Sequence, residues 1–442
     1  MPSDTRRRPQ LAEIATDLID DQVGIVRLAG AAPRQSGSPS FFHYWALAAD
    51  TRAFAEQHNF ARAGGSAEDP DRALAKAIGE AVERYCAAIY TKEELPLRTA
   101  DEAEFPVVDP ATFALNSASQ YAENDFWLVP FDRQTPVRWT PAVDALSNET
   151  RYVPAAMVFL PYYYAPETGE PPIAQPISTG LSCHDSFHEA AAVSLAEVVE
   201  RDAFTIVWQA KIAPPRITAD TLPPGLSRLH GRFGSAGFDV TLFDITLDNR
   251  IPTVLAVSRH RSGDCPAVVV AASASLDPAR ATRSALEELA HTGHYCQEIV
   301  REVPRLAPDA GRKVVDQESH LNYWCDHANA GGIEFLYASS VEIGYGELED
   351  AHTGDGVDDL RELCTRIAAT GHRPLLSDLT TPDVAALDLA VVRAVVPGYH
   401  PLVTGHRYRA LGGRRLWGVP QRLGHPGIST QHGDNPLPHP YP

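Results

Sequence analysis

Two short segments place paired carboxylates one helical turn apart with an arginine directly behind the second: Glu80-Ala81-Val82-Glu83-Arg84 and Glu197-Val198-Val199-Glu200-Arg201. On a helix, residues three apart share a face. Each pair therefore offers two carboxylates side by side, with Arg84 or Arg201 beside them. Carboxylate oxygens suit Mg²⁺, and a guanidinium can hold phosphate oxygens through paired hydrogen bonds. The chemistry suggested is binding of a divalent metal and a triphosphate. The first pair alone is what any amphipathic surface helix shows, with Leu74, Ile78, Val82 and Tyr85 on the other side. The second is less ordinary. Glu189, Glu197, Glu200 and Arg201 share a face with Val193, Phe204 and Trp208, while Leu195, Val198 and Val199 make the opposite face apolar too. Carboxylates on a helix that is apolar nearly all round must be paired or metal-bound. A third helix is expected after Asp277-Pro278, with Glu288 beside the small residues Ala281, Ser284 and Ala285. Glu287, Arg280 and Arg283 are expected on a solvated face of it. His291, one turn after Glu288, reads as a polar cleft or surface residue rather than a metal ligand.

The chain ends Asn435-Pro436-Leu437-Pro438-His439-Pro440-Tyr441-Pro442. Proline at every second position favours an extended, polyproline-like strand with little chain entropy left to lose on docking. Such a strand could aim its terminal carboxylate, although a generic proline-rich terminus would be disordered.

Composition closes several other routes. The net charge of −19 opposes nonspecific nucleic-acid binding. None of the four lysines (Lys76, Lys92, Lys211, Lys313) follows a glycine, so there is no P-loop. No GxSxG marks a hydrolase nucleophile, and no GxGxxG follows a strand. The groups His291, His294, Cys296 and His320, Cys325, His327 lack zinc spacing. No apolar run is long enough for a membrane span, and the basic N-terminus is not followed by the apolar stretch of a secretory signal. Six scattered cysteines fit reduced thiols and a cytoplasmic protein.

At 442 residues and 44% hydrophobic, the chain can bury a large core. Apolar runs at Val153–Tyr164, Phe238–Asp244, Pro252–Val257, Ala267–Ala272, Ile333–Tyr337, Pro374–Leu376 and Leu389–Val396 read as strands. Helical patterns lie at about 70–90, 187–210, 278–302 and 356–370, the first preceded by Gly64-Gly65-Ser66. The mixture implies an α/β or α+β fold. One globular unit is expected: an N-terminal segment (1–60), a catalytic domain (61–430) and a proline-spaced tail (431–442).

Taken in order, these segments resemble the YcaO family. Beyond the two ExxER helices, the likeness rests on Thr179-Gly180-Leu181-Ser182-Cys183-His184-Asp185-Ser186-Phe187-His188-Glu189-Ala190, on Phe243-Asp244-Ile245-Thr246, on Ala285-Leu286-Glu287-Glu288 and on Val392-Arg393-Ala394-Val395-Val396-Pro397-Gly398. Thr179 and His184 depart from the family's usual Asn and Gly. Asp185 replaces an Asn but keeps an oxygen ligand, and His291 stands where Gln is common. The resemblance implies a fold that binds ATP and Mg²⁺ without a P-loop. Glu80, Glu83, Glu189, Glu197, Glu200 and Glu288 would surround nucleotide and metal, Asp185 would join the metal ligands, and Arg84 and Arg201 would meet phosphate. The ending Pro438-x-Pro440-x-Pro442 resembles that of azoline-forming cyclodehydratases, which assigns those prolines to the catalytic end. Such enzymes turn Cys, Ser or Thr of a ribosomal precursor peptide into thiazoline or oxazoline by phosphorylating the backbone amide oxygen. The implied partners are the precursor peptide, a leader-binding protein related to ubiquitin-activating enzymes and a second copy of the chain. A flavin-dependent azoline dehydrogenase is also admitted. Thioamide or macroamidine formation at the same ATP site, or a noncatalytic protein of this fold, are the competing readings.

Overall fold

The computed structural model describes residues 11–429 and 433–442, so residues 1–10 of the N-terminal segment and 430–432 around the start of the tail lie outside the described residues. Short helix α1 (Ala15–Leu18) leads into an antiparallel sheet of β1 (Val26–Ala31), β2 (Phe42–Ala48) and β3 (Arg62–Ala67). Helix α2 (Pro70–Ala87) lies on this sheet, starting at Pro70 with the Asp69 side chain accepting from Arg72 N at 3.0 Å. The glycines that precede this helix are part of β3. A Cβ on Gly65 would stand 2.5 Å from Ala73 O, so its absence lets α2 lie close on the strand. The N-terminal segment thus supplies the floor under the first ExxER helix.

Two larger sheets follow. One has the order β4-β5-β13-β14-β7, with β6 on β5: β4 (Leu97–Arg98), β5 (Val137–Asp144), β6 (Thr150–Pro154), β7 (Leu181–His184), β13 (Leu375–Asp378) and β14 (Ala390–Val395). The other has the order β11-β10-β9-β8-β12: β8 (Arg216–Ile217), β9 (Asp239–Asp244), β10 (Thr253–Arg259), β11 (Val268–Ala274) and β12 (Glu342–Ile343), antiparallel except for β8–β12. Short helices α3 (Ala118–Tyr121) and α9 (Pro382–Ala385) sit in connections. Helices α5 (Pro224–Ser235), α7 (Gln317–Cys325), α8 (Gly356–Ala369) and α10 (Arg414–Arg422) pack outside.

Helix α4 (Phe187–Gln209) runs between the two larger sheets, touching β7 and β14 on one side and β10 and β11 on the other. That position explains why it is apolar all round. Strand parity shows the layering. Leu255, Val257, Val268, Val270 and Ala272 pack with Phe204 and Trp208 of α4. Val254, Ala256, Val269 and Ala271 point the other way, against Leu286 and Leu289 of helix α6 (Pro278–Glu302). Helix α6 also reaches β3, so α2, α4 and α6 meet where the three sheets come together.

The expected elements at 70–90, 187–210, 278–302 and 356–370 and most strands lie close to where the sequence places them. Two differ. Ile333–Tyr337 belongs to a 3₁₀ segment, His327–Tyr337, since a short apolar run fits a buried helical turn as well as a strand. In Val153–Tyr164 only the first two residues are strand, because the chain turns into a 3₁₀ segment at Ala155–Met157.

The Asp that follows the second ExxER is structural. Asp202 is fully buried and bonds Arg415 (2% exposed) at 2.7 Å, while Asp248 takes the same guanidinium at 2.7 Å. Asp202 Oδ1 also accepts from His400 N at 2.8 Å. Asp202→Ala would strand a buried guanidinium, and we expect a loss of about 3–5 kcal/mol in urea unfolding. A loss under about 1 kcal/mol would mean that Asp248 compensates alone.

Candidate active site

Three backbone amides fix three of the carboxylates. Gly64 N in β3 donates to Glu80 Oε2 at 2.9 Å, Cys183 N in β7 to Glu83 Oε1 at 2.8 Å, and Gly180 N to Glu197 Oε2 at 3.0 Å. Gly180 has φ +82°, and a Cβ there would sit 2.4 Å from Ala394 O. Only glycine brings that amide to Glu197 without strain. Arg84 Nη2 pairs with Glu80 Oε1 at 3.0 Å, and Arg201 lies 3.4 Å from Glu197 and 3.1 Å from Glu200. On α6, Glu288 takes Lys76 Nζ at 3.1 Å and faces His291 Nδ1 at 3.8 Å.

Glu80, Glu83, Glu197, Glu200 and Glu288, with Arg84 and Arg201, thus form one electrostatic cluster at the meeting of α2, α4 and α6. Burial, then the charge of Glu80, pushes the Glu83 carboxyl well up. Burial chiefly, with Glu197 and Glu288 adding and Arg201 opposing, lifts Glu200 to about 7. Burial would lift Glu288 too, but Lys76 and His291 outweigh it and hold that carboxyl well below its usual range. Neighbouring carboxylates that add to the lift of Glu83 and Glu200 make a set of hard oxygen donors whose charge a divalent cation relieves. Among the described residues, no group of three His, Cys, Asp or Glu side chains is disposed to hold a metal unaided. That suits Mg²⁺, which usually takes one or two carboxylates and completes its shell from phosphate and water. The residues therefore fit the group. Side-chain exposures of 31%, 23% and 41% for Glu80, Glu197 and Glu288 leave them open to a ligand.

Other predicted residues stand apart. Glu189 lies eight residues before Glu197, about 12 Å along α4, with Arg280 at 4.0 Å. Gly356 makes room for it, since a Cβ there would come 2.3 Å from Glu189 Oε1. Asp185 follows β7, 2.6 Å from His184 Nδ1. Glu287 corrects the expectation of a solvated face: its side chain is fully buried, 3.0 Å from Lys76 and 3.4 Å from Arg72 of α2. Lys76 was missed as a site residue. It stands one turn before Glu80 on the same helix, and that spacing was the available signal.

The tail is built into the core. Asn435 N donates to Gln209 O at 2.9 Å, Trp208 Nε1 to Leu437 O at 3.2 Å and Trp324 Nε1 to Pro438 O at 2.8 Å. Pro438, His439, Pro440 and Tyr441 are buried. Tyr441 packs against Phe204 with the two rings tilted at 44°, its ring lies 4.5 Å under the Arg201 guanidinium, and its hydroxyl reaches Glu200 Oε1 and Ala272 O. Arg201 Nη1 donates to Pro442 O at 3.2 Å. Of the three prolines assigned to the catalytic end, Pro442 touches a residue of the glutamate cluster, while Pro438 and Pro440 form the buried stem behind it.

The lifted Glu200 gives a pH signature. Its folded pKa, about 7, lies above the ordinary carboxyl value of 4.5, so the folded protein binds the extra proton between these values. Stability then falls as pH rises through that window. In metal-free protein, Glu200→Gln should match wild type near pH 5. It should be the more stable near pH 8, by an amount on the order of 3 kcal/mol. Melting curves at the two pH values test this, and equal pH dependence in both proteins would contradict it.

Fold and site together describe a protein in which helices α2, α4 and α6 bring carboxylates and arginines together without a phosphate loop. The family model described as YcaO cyclodehydratase, ATP- and Mg²⁺-binding, matches residues 64–400, and the chain belongs to this family. ATP and Mg²⁺ are its cofactors. An uncharacterised protein of Methanothermobacter thermautotrophicus is 28% identical over 332 residues, 74% of this chain and 78% of that protein. A solved heterocyclase in complex with substrate and cofactor superposes with a TM-score of 0.79 at 21% identity, covering 99% of this chain and 58% of that one. The chain thus spans somewhat over half of that heterocyclase's length. YcaO from Methanopyrus kandleri, bound with AMPPCP and Mg²⁺, superposes with a TM-score of 0.62 at 22% identity, covering 90% and 91%. Among the described residues no helix is long and apolar enough to cross a membrane.

Proposed function

We propose that this chain converts Cys, Ser or Thr residues of a ribosomal precursor peptide into thiazolines or (methyl)oxazolines, using ATP to activate the backbone amide oxygen. The observation that carries the reading is Pro442, whose backbone oxygen Arg201 holds beside Glu197 and Glu200. A likeness to a heterocyclase fold that runs over 99% of the chain supports it. When bound, ATP with Mg²⁺ supplies the phosphoryl group that turns the amide oxygen into a leaving group. One or two carboxylates at a time from Glu80, Glu83, Glu197, Glu200 and Glu288 would hold the metal, phosphate and water completing its shell, and Asp185 near the end of β7 would offer a further oxygen to that water. Arg84 and Arg201 would release their present carboxylate partners in part to phosphate oxygens. Glu189, with Arg280, would meet the nucleoside end, about 12 Å along α4 from Glu197. The Pro442 carboxylate would take the proton of the attacking thiol or hydroxyl. Its buried stem holds it in place, which is the positioning such a step needs.

A leader-binding protein related to ubiquitin-activating enzymes would deliver the peptide by raising its effective concentration. A flavin-dependent dehydrogenase would oxidise the azolines, and the chain would work as a homodimer. The test is to incubate chain, peptide and ATP, with and without the leader-binding partner, and to follow peptide mass and ATP consumption. Loss of one water per ring with matching ATP consumption is expected. Exchange of oxygen for sulfur would instead identify thioamide formation, and peptide-independent inertness a noncatalytic protein.

A further inference from the structure

A cavity of about 100 Å³ opens beside the glutamate cluster, walled by Phe113, Leu128, Met157, Val198 and Tyr408. Val198 neighbours Glu197 on α4, and another wall is the end of β14. Pro401, Val403 and Ala410 separate it from a smaller pocket that His439 of the tail lines. The cavity thus lies beside α4, near Glu197 and next to the pocket that His439 lines.

Three polar residues of this apolar lining each have a buried atom without a partner: Arg393 Nη1, His400 Nδ1 and Gln175 Oε1. Three such atoms on the lining residues of one chamber leave hydrogen-bonding capacity that a ligand could use once these side chains turn towards it. Arg393 is 4% exposed. It donates from Nε to Met157 O at 3.0 Å and from Nη2 to Ile177 O at 2.8 Å, and among the described residues it joins no ion pair. The charges that act on it across the site are those of Glu197 and Arg84. His400 is 1% exposed, and its Nε2 accepts from Leu416 N at 3.3 Å, so Nδ1 carries the hydrogen. Gln175 spends its amide nitrogen on Thr404 Oγ1 at 2.9 Å and keeps its oxygen as an acceptor. Two donors, one acceptor and apolar walls match a peptide unit, whose carbonyl accepts and whose N–H donates, next to an apolar side chain. A bare anion would use Arg393 and His400 but would be repelled by the Gln175 oxygen and gain nothing from the walls.

We propose that this cavity holds the peptide unit and apolar side chain immediately preceding the residue to be cyclised, with Arg393 and His400 on the carbonyl oxygen and Gln175 on the N–H. The proposal rests on the reading that this chain acts on a peptide. It adds that the chain selects an apolar residue before the cyclised one.

The test is binding, separate from turnover. Acetyl-leucyl-cysteine amide and acetyl-aspartyl-cysteine amide are titrated at millimolar concentration into the full chain with a non-hydrolysable ATP analogue and Mg²⁺, read by saturation-transfer NMR. The leucyl peptide should bind at least about tenfold more tightly. Met157→Trp, which fills the chamber, should weaken it by at least about tenfold while affinity for the analogue stays within about twofold. If Met157→Trp no longer binds the analogue, Phe113→Ala decides: the enlarged chamber should shift preference from the leucyl towards the tryptophyl dipeptide. Equal binding of the leucyl and aspartyl peptides, no binding of either, or indifference to the cavity substitutions would overturn the proposal. Peptides that bind as expected but never cyclise would leave it standing and remove the proposed reaction instead.

Discussion

Glu197→Gln and Glu200→Gln are each expected to lower peptide-dependent ATP turnover by about 10²–10³-fold or more, without unfolding the protein. Glutamine keeps the shape and an acceptor oxygen. The Gly180 N–H bond to position 197 and the Tyr441 contact at position 200 can therefore persist. What disappears is a negative charge from the carboxylate cluster, so the metal that balances the transferring phosphoryl group is held less well. The two variants should differ in a telling way. Glu197 is the more open, with 23% of its side chain exposed against 11% for Glu200. Its loss should show mainly as a raised requirement for Mg²⁺. Glu200→Gln should in addition gain stability at high pH, because the native carboxyl is costly to ionise there. Steady-state turnover across a Mg²⁺ titration provides the measurement. Turnover within tenfold of wild type in both variants would remove the carboxylates from the reaction.

Appending a single glycine after Pro442 is expected to reduce cyclisation by about 10²-fold or more and to leave nucleotide binding nearly intact. The extension leaves Trp324, Trp208 and Tyr441 in their contacts but displaces the terminal carboxylate from its place beside Arg201. Removing residues 438–442 is a harsher experiment. It uncovers Phe204 and leaves His320 without its stacked partner His439, whose ring lies 3.9 Å away, so stability should fall as well. Comparing the two separates a catalytic terminus from a structural stem. Nucleotide affinity by titration calorimetry and cyclisation by mass spectrometry are read on the same samples. A glycine-extended chain that cyclises at the native rate would assign the tail to packing alone.

The glutamate helices were legible because their signal is local. A three-residue spacing fixes a shared face wherever the helix lies, and Asp69-Pro70, Ser186 and Asp277-Pro278 mark where the helices start. The burial of α4 was legible for the same reason, since a helix apolar on both sides must run between layers. Pairings across the chain were not. Glu287 falls on the polar side of α6 by its spacing, and only the approach of Lys76 and Arg72 on α2 makes that side interior. Gly64, Gly65 and Gly180 look like turn residues until the close approach of α2, His291 and Ala394 shows what a side chain would strike. Arg393 sits in an apolar run and reads as strand. Its importance depends on Met157, Ile177 and the cavity, more than 200 residues away in the chain.

The central claim is that this chain spends ATP on a backbone amide oxygen. The direct measurement uses a precursor peptide carrying heavy oxygen in the carbonyl that precedes one cyclisable Cys or Ser. After reaction with unlabelled ATP in unlabelled water, the released phosphate is examined by mass spectrometry. One heavy oxygen per phosphate, matched to one ring per ATP consumed, is the predicted result. Label that stays in the cyclised peptide, or appears only in water, would contradict it.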